Sequence, residues 1–251
     1  MKSINKFQLK YFIIFFLIIG CVSTPKVFFK EPVDTKTKKI SFQKKRVFSF
    51  NESGVYFSNK FEGARLNNVN QLNDSTYILS ILPENKPIND SPYYAFKIWS
   101  SSSKKVLLKF QYPKNFKHRY IPKIKSNGIW KTADSLNFKF DDNLSSLTIK
   151  INDNPKIISG QELHTSSIVY KWVDQLISGK ESYIKFKEIG KTRLNRAFKV
   201  LDIYKGVPKN KPVIVILTRQ HPPEVTGYFA FKVFLKTILK ENKLSSIFLD
   251  K

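Results

Sequence analysis

A chain of 251 residues with 41% hydrophobic and 14% aromatic side chains has too much apolar surface for a disordered polymer, and its single cysteine excludes an internal disulfide framework. The formal charge of +25, from 44 basic and 19 acidic residues, favours anionic partners, but the lysines are spread along the whole chain as solvated faces would be. No RNP-like, KH-like or zinc-finger signature accompanies them, so no nucleic-acid partner is expected.

The chain opens with Lys2, Lys6 and Lys10, followed by an unbroken apolar run from Tyr11 to Ile19. That run is too short for a transmembrane helix and has the length of a signal-peptide core. Ile18-Ile19-Gly20-Cys21 follows and resembles the lipobox of bacterial lipoproteins. The resemblance implies cleavage before Cys21 and a diacylglycerol on its thiol. Residues 1–20 are therefore expected to be a lipoprotein signal peptide. The protein is expected to be exported to the bacterial cell envelope and held at the membrane through Cys21, since more than one acyl chain anchors stably. Residues 21–47 are polar and basic, with Pro25 and Pro32 and the densest basic run (Lys36, Lys38, Lys39, Lys44, Lys45, Arg46), as in a flexible tether.

From residue 48 to 155 the pattern has period two. Tyr94, Phe96 and Ile98 alternate with Ala95, Lys97 and Trp99; Val106, Leu108 and Phe110 form a second such run and Leu147, Ile149 and Ile151 a third. Turn clusters separate the runs: Asn73-Asp74-Ser75, Pro87 to Pro92, Ser126-Asn127-Gly128 and Asp141-Asp142-Asn143. Short strands at this spacing predict an antiparallel β-sandwich. Trp99 and Trp130 fit either its core or a binding face. His118, between Lys117 and Arg119, is placed on the surface by its basic neighbours.

Beyond Asn154-Pro155 the periodicity changes. Ile168, Trp172, Leu176 and Ile177 predict a helix over about 164–178, ended near Gly179, with His164 beside its cap. Strands are expected around 183–189 and 197–204. Pro212–Thr218 is a continuous apolar run typical of a strand buried on both faces. A second helix is expected over about 224–240, with Tyr228, Phe231, Phe234, Leu235 and Ile238 on one face. Residues 156–251 therefore predict the first part of an α/β/α mixed-sheet domain, separate from the sandwich. Between the apolar run and the second helix lies Arg219-Gln220-His221-Pro222-Pro223-Glu224. An imidazole and a carboxylate three positions apart at a sheet edge can meet on a divalent cation such as Zn²⁺. A Glu in a first helical turn also complements the helix dipole, so the spacing alone does not decide. Arg219 can act as an anion contact near the metal or as a structural hydrogen-bond donor at the strand end.

The stretch from Gln161 to Ile238 resembles the opening of zinc carboxypeptidases of the carboxypeptidase A type. The resemblance rests on Tyr170-Lys171-Trp172-Val173-Asp174, on Glu188-Ile189-Gly190-Lys191-Thr192 with Arg196-Ala197-Phe198-Lys199-Val200-Leu201, and on the H-x-x-E. Upstream, Phe61-Glu62-Gly63-Ala64, Ser91 to Phe96 and Tyr112-Pro113 resemble the β-sandwich that precedes the peptidase domain in the cytosolic carboxypeptidase subfamily, which typically has H-P-G-E where this chain has H-P-P-E. The resemblance implies that His221 and Glu224 bind zinc and that the intact enzyme hydrolyses C-terminal residues of peptides, acidic ones among them. The family's third ligand, a histidine, lies downstream of the second helix, as do its general base and its carboxylate-binding arginine. The other histidines here, His118 and His164, both lie upstream of His221. The resemblance thus implies an incomplete metallocarboxypeptidase, inactive alone and with no catalytic residue of its own. The alternative is a non-catalytic surface lipoprotein whose sandwich binds a peptide or glycan.

Overall fold

Alternating apolar side chains in the middle of the chain leave one face of each strand to be covered, and two sheets cover each other. A computed structural model describes residues 40–83, 92–114, 116–141, 144–192, 194–207 and 211–250. The expected signal peptide 1–20, Cys21, most of the expected 21–47 tether and parts of two predicted turn clusters lie outside the described residues. One sheet has six strands in the order β1 (Val47–Phe50), β2 (Val55–Ser58), β5 (Ala95–Ser100), β11 (Lys156–Ser159), β7 (Lys123–Ser126) and β8 (Ile129–Thr132). The other has five, in the order β3 (Asn68–Asn73), β4 (Thr76–Ser80), β6 (Lys104–Gln111), β10 (Ser146–Ile151) and β9 (Phe138–Lys139).

Phe57, Phe96, Ile98 and Ile158 of the first sheet share one buried cluster with Tyr77, Leu108, Phe110 and Leu147 of the second. Burying each such side chain contributes about 1.5–3 kcal/mol. Within the second sheet, β6 and β10 pair antiparallel, Val106 opposite Ile149 and Leu108 opposite Leu147, so the two predicted alternating runs stand side by side. The β7–β8 hairpin turns at Asn127 (φ 50°) and Gly128 (φ 80°), the pair of positive φ values that a two-residue turn of type I′ requires.

The sandwich is not wholly antiparallel. β4 runs parallel to β6, with Thr76 opposite Leu107 and Ser80 opposite Gln111. Parallel neighbours need a crossover between them. Here the crossover is β5, which lies in the other sheet between β2 and β11. Residues 43–46, which composition assigns to the tether, are tied to the sandwich through Asn59. Its fully buried side-chain amide donates to the carbonyls of Lys44 and Leu66, and its oxygen accepts from the Arg46 N–H.

After β11 come α1 (Ser166–Ile177), the hairpin β12 (Ile184–Lys191) and β13 (Ala197–Ile203), α2 (Val225–Ile238) and α3 (Lys243–Asp250). Gly179, just past α1, has φ 77°, the left-handed conformation that commonly ends a helix. On α2 the buried side chains are Val225, Tyr228 and Leu235, whereas Phe234 of the expected face meets Phe248 of α3 edge-on at 6.3 Å. α3, not expected from periodicity, starts at a cap: the Asn242 side chain accepts the Ser245 N–H at 3.0 Å.

Pro212–Thr218 departs from expectation. It pairs with no described strand, and Val213, Val215 and Leu217 are 86%, 76% and 74% exposed. A run apolar on both faces needs strands at its edges and helices above and below. Among the described residues, β12 and β13 pair only with each other, and the run lies against neither as a third strand.

Candidate metal centre

The segment Thr218–Glu224 turns from the apolar run into α2. Arg219 takes φ 51°, a left-handed conformation uncommon for a residue with a side chain. One guanidinium nitrogen donates to the carbonyl of His164 and another to that of Pro222 at 3.4 Å. The guanidinium also sits 5.9 Å from the centre of the Tyr228 ring. Arg219 thus ties the turn to the segment before α1 and to the buried face of α2.

On this turn His221 and Glu224 face each other. His221 Nδ1 lies 2.6 Å from Glu224 Oε1, and the His221 backbone N–H donates to Oε2 at 3.0 Å. The Glu224 N–H in turn donates to the His221 carbonyl at 3.2 Å. Pro222 and Pro223 fill the two positions between, with fixed φ and no N–H to pair, so the loop brings the two side chains together. Glu224 is the N-cap of α2, where the helix dipole favours its charge. The hydrogen bond from the imidazole, followed by that from the His221 N–H, holds its carboxyl below the usual carboxylate range. Both side chains are about half exposed (55% and 48%), so an ion reaches them from solvent.

The sandwich reaches this turn. Burial pushes the Tyr120 phenol upward, the Arg119 cation opposes that and the Glu224 carboxylate adds to it, so Tyr120 lies within the field of the pair. Nothing in the local sequence around Tyr120 signals this; the proximity comes from the fold.

The other histidines are engaged elsewhere. His118 is a correction to expectation: it is 1% exposed, inside the sandwich. Its Nδ1 is 3.2 Å from the Tyr112 hydroxyl, its Nε2 is 2.6 Å from the Tyr120 carbonyl, and the rings of Tyr94, Phe110 and Phe138 surround it. Lys117 and Arg119 are exposed while the ring between them is buried, so the flanking charges do not mark its position. Burial lowers the pKa of His118 to about 4. His164 packs against Tyr228 and Phe229 at 5.0 and 5.1 Å between ring centres. Burial, reinforced by the cations of Arg219 and Lys232, also lowers its pKa to about 4, so it is neutral at pH 7.

The donor set suits Zn²⁺ in kind, one imidazole nitrogen and one carboxylate converging on the same point, and falls short in number. Among the described residues no group of three or more His, Cys, Asp or Glu side chains could hold a metal. An ion would replace the hydrogen bond between His221 and Glu224 and would require another ligand.

Residues 169–250, from α1 to α3, match the family model for zinc carboxypeptidase. No curated protein matches the sequence. Among solved structures, the chain is similar to a putative carboxypeptidase A from Shewanella denitrificans OS-217, with a TM-score of 0.62 and 17% identity over 78% of this chain and 52% of that one. It is also similar to a metallo-carboxypeptidase from Burkholderia cenocepacia, with a TM-score of 0.58 and 12% identity over 75% of this chain and 50% of that one. A putative carboxypeptidase from Burkholderia mallei ATCC 23344 gives 0.57 and 11% over 75% and 48%. At these identities the likeness shows a shared fold, sandwich included. The chain spans about half the length of the structures it matches.

Proposed function

We propose that this chain, whose residues 169–250 match the zinc carboxypeptidase family model, is the front part of an exported, lipid-anchored metallocarboxypeptidase that removes C-terminal residues from peptides. The observation that carries the reading is the His221–Glu224 pair, in contact at 2.6 Å at the head of α2 inside the matched segment. His221 and Glu224 are its zinc ligands. When bound, zinc polarises a scissile carbonyl and lets a water ionise near neutral pH. The chain's own part is to hold two donors on one rigid turn, with Arg219 fixing that turn from behind. No histidine follows Glu224 in this sequence to serve as the third ligand, so hydrolysis is proposed to require groups beyond those present here. Acidic C-termini are the proposed peptide substrates, in keeping with the charge of +25.

Zinc titration of the chain by calorimetry tests the site. His221→Ala and Glu224→Gln should each weaken binding at least tenfold, and peptide hydrolysis should be absent from all forms. Unchanged zinc affinity in both variants overturns the assignment. The anchor is tested separately: Cys21→Ser should abolish labelling by a fatty-acid analogue and move the protein out of the membrane fraction. Labelling that persists in that variant ends the lipoprotein reading.

A further inference from the structure

The sandwich carries an open cleft of about 740 Å³ that no residue of 160–250 lines. It lies between β7–β8 of one sheet and β10 of the other. β9 is the reason it exists. That strand has two residues and pairs only with Ser146 and Leu147, so on the side away from β6 the far half of β10 has no strand beside it among the described residues. The floor is apolar, made by Ile124 and Ile129 on one side and Leu147 and Ile149 on the other. Ile129 is 63% exposed, unusual for a strand residue facing inward.

The rim is basic. Lys105, Lys131, Lys150 and Lys156 line the cleft, against one acidic residue, Asp134. Lys156 is spent on the Lys150 carbonyl at 2.7 Å. Lys105, Lys131 and Lys150 are exposed and form no ion pair among the described residues. Lys105 stands directly opposite Lys150 in the β6–β10 ladder, a like-charge pair that destabilises the sheet unless an anion lies between them. β8 is the last strand of its sheet, so its outer edge carries backbone groups with no strand neighbour among the described residues.

We propose that this cleft binds an acidic peptide segment in extended conformation, laid along β8 with apolar residues on the isoleucine floor and carboxylates on the lysine rim. The volume falls within the roughly 300–1,000 Å³ of ligand sites, and strand addition to an open edge is a recurrent mode of peptide recognition. A neutral glycan fits less well. No aromatic ring lines the cleft on which a sugar could stack; Trp130 of β8 is not among the lining residues and pairs instead with Lys125 at 5.8 Å. The cleft is separate from His221 and Glu224, so this inference stands or falls independently of the zinc assignment.

Fluorescence anisotropy on the full chain in detergent provides the test. The probes are a labelled ten-residue peptide alternating Glu and Val, its Lys/Val counterpart, phosphatidylglycerol vesicles and a neutral hexasaccharide. Saturable binding of the Glu/Val peptide alone is expected. The double variant Lys131→Glu/Lys150→Glu should weaken it at least tenfold, while Lys60→Glu/Lys236→Glu, with the same net charge on exposed positions elsewhere, should stay within twofold of the unchanged protein. Equal weakening by both variants means that the bulk field attracts the peptide, and overturns the proposal. So does the absence of saturable peptide binding, or saturation by vesicles or sugar in its place. All four positions are exposed, and coincident thermal unfolding curves confirm that the variants fold.

Discussion

His118 is a buried titratable group inside the sandwich. Lysine and arginine flank it, yet its ring is sealed among aromatics and its two nitrogens contact Tyr112 and Tyr120. A buried imidazole that resists protonation has a measurable consequence. With its pKa lowered to about 4 in the folded chain, against about 6.5 when unfolded, the unfolded state binds the extra proton between those values. Stability is therefore full above about pH 6.5, falls as the pH drops toward 4, and levels once the folded state is protonated too. The loss from this residue is on the order of 3 kcal/mol. Urea unfolding at pH 7 and pH 4.5 should show the decline, and His118→Gln, less stable at pH 7, should show a smaller one. The pair His221 and Glu224 presents the opposite case. Its spacing across two prolines was visible in the sequence, because a turn of fixed φ leaves the two side chains little choice of direction.

At the scale of elements, periodicity was a good guide where a strand buries one face and a poor one where burial depends on neighbours. Phe96 and Ile98, Leu108 and Phe110, and Leu147 and Ile151 are all buried as their alternation required. The parallel pairing of β4 and β6 was not legible, since alternation fixes which face is buried and says nothing of strand direction. α3 was missed because eight residues are too few for a clear helical period, although Asn242 supplies a cap. Pro212–Thr218 has the composition of a doubly covered strand and is solvent-exposed, since no described strand lies beside it. Val215→Lys follows as a probe. At 76% exposure it should change stability by no more than about 0.5 kcal/mol, measured by urea unfolding, while lowering light scattering of concentrated solutions. A loss of several kcal/mol would mean that the run is covered in solution.

For the molecule as a whole, the question is what joins the sandwich to the helices and hairpin that follow. Glu62 is a central link: its carboxylate accepts from the Ser167 hydroxyl at the start of α1 and lies 3.8 Å from Arg196 before β13. Next to it, Gly63 at φ 78° packs so closely that a Cβ there would come within 3.1 Å of Thr165 and 3.3 Å of Leu163. Glu62→Ala should therefore loosen residues 166–250 and leave the sandwich intact, which limited proteolysis would register as faster cutting after residue 160 with an undigested N-terminal core. Uniform digestion of both halves would contradict it. The route of the chain through β4, β5 and β6 carries a further consequence. Because it leaves one sheet, threads the other and returns beside its starting strand, each sheet is basted to the other by continuous backbone, and neither can peel away first. Amide protons on β5 and β6 should accordingly exchange with deuterium in a single concerted event, at one common opening free energy.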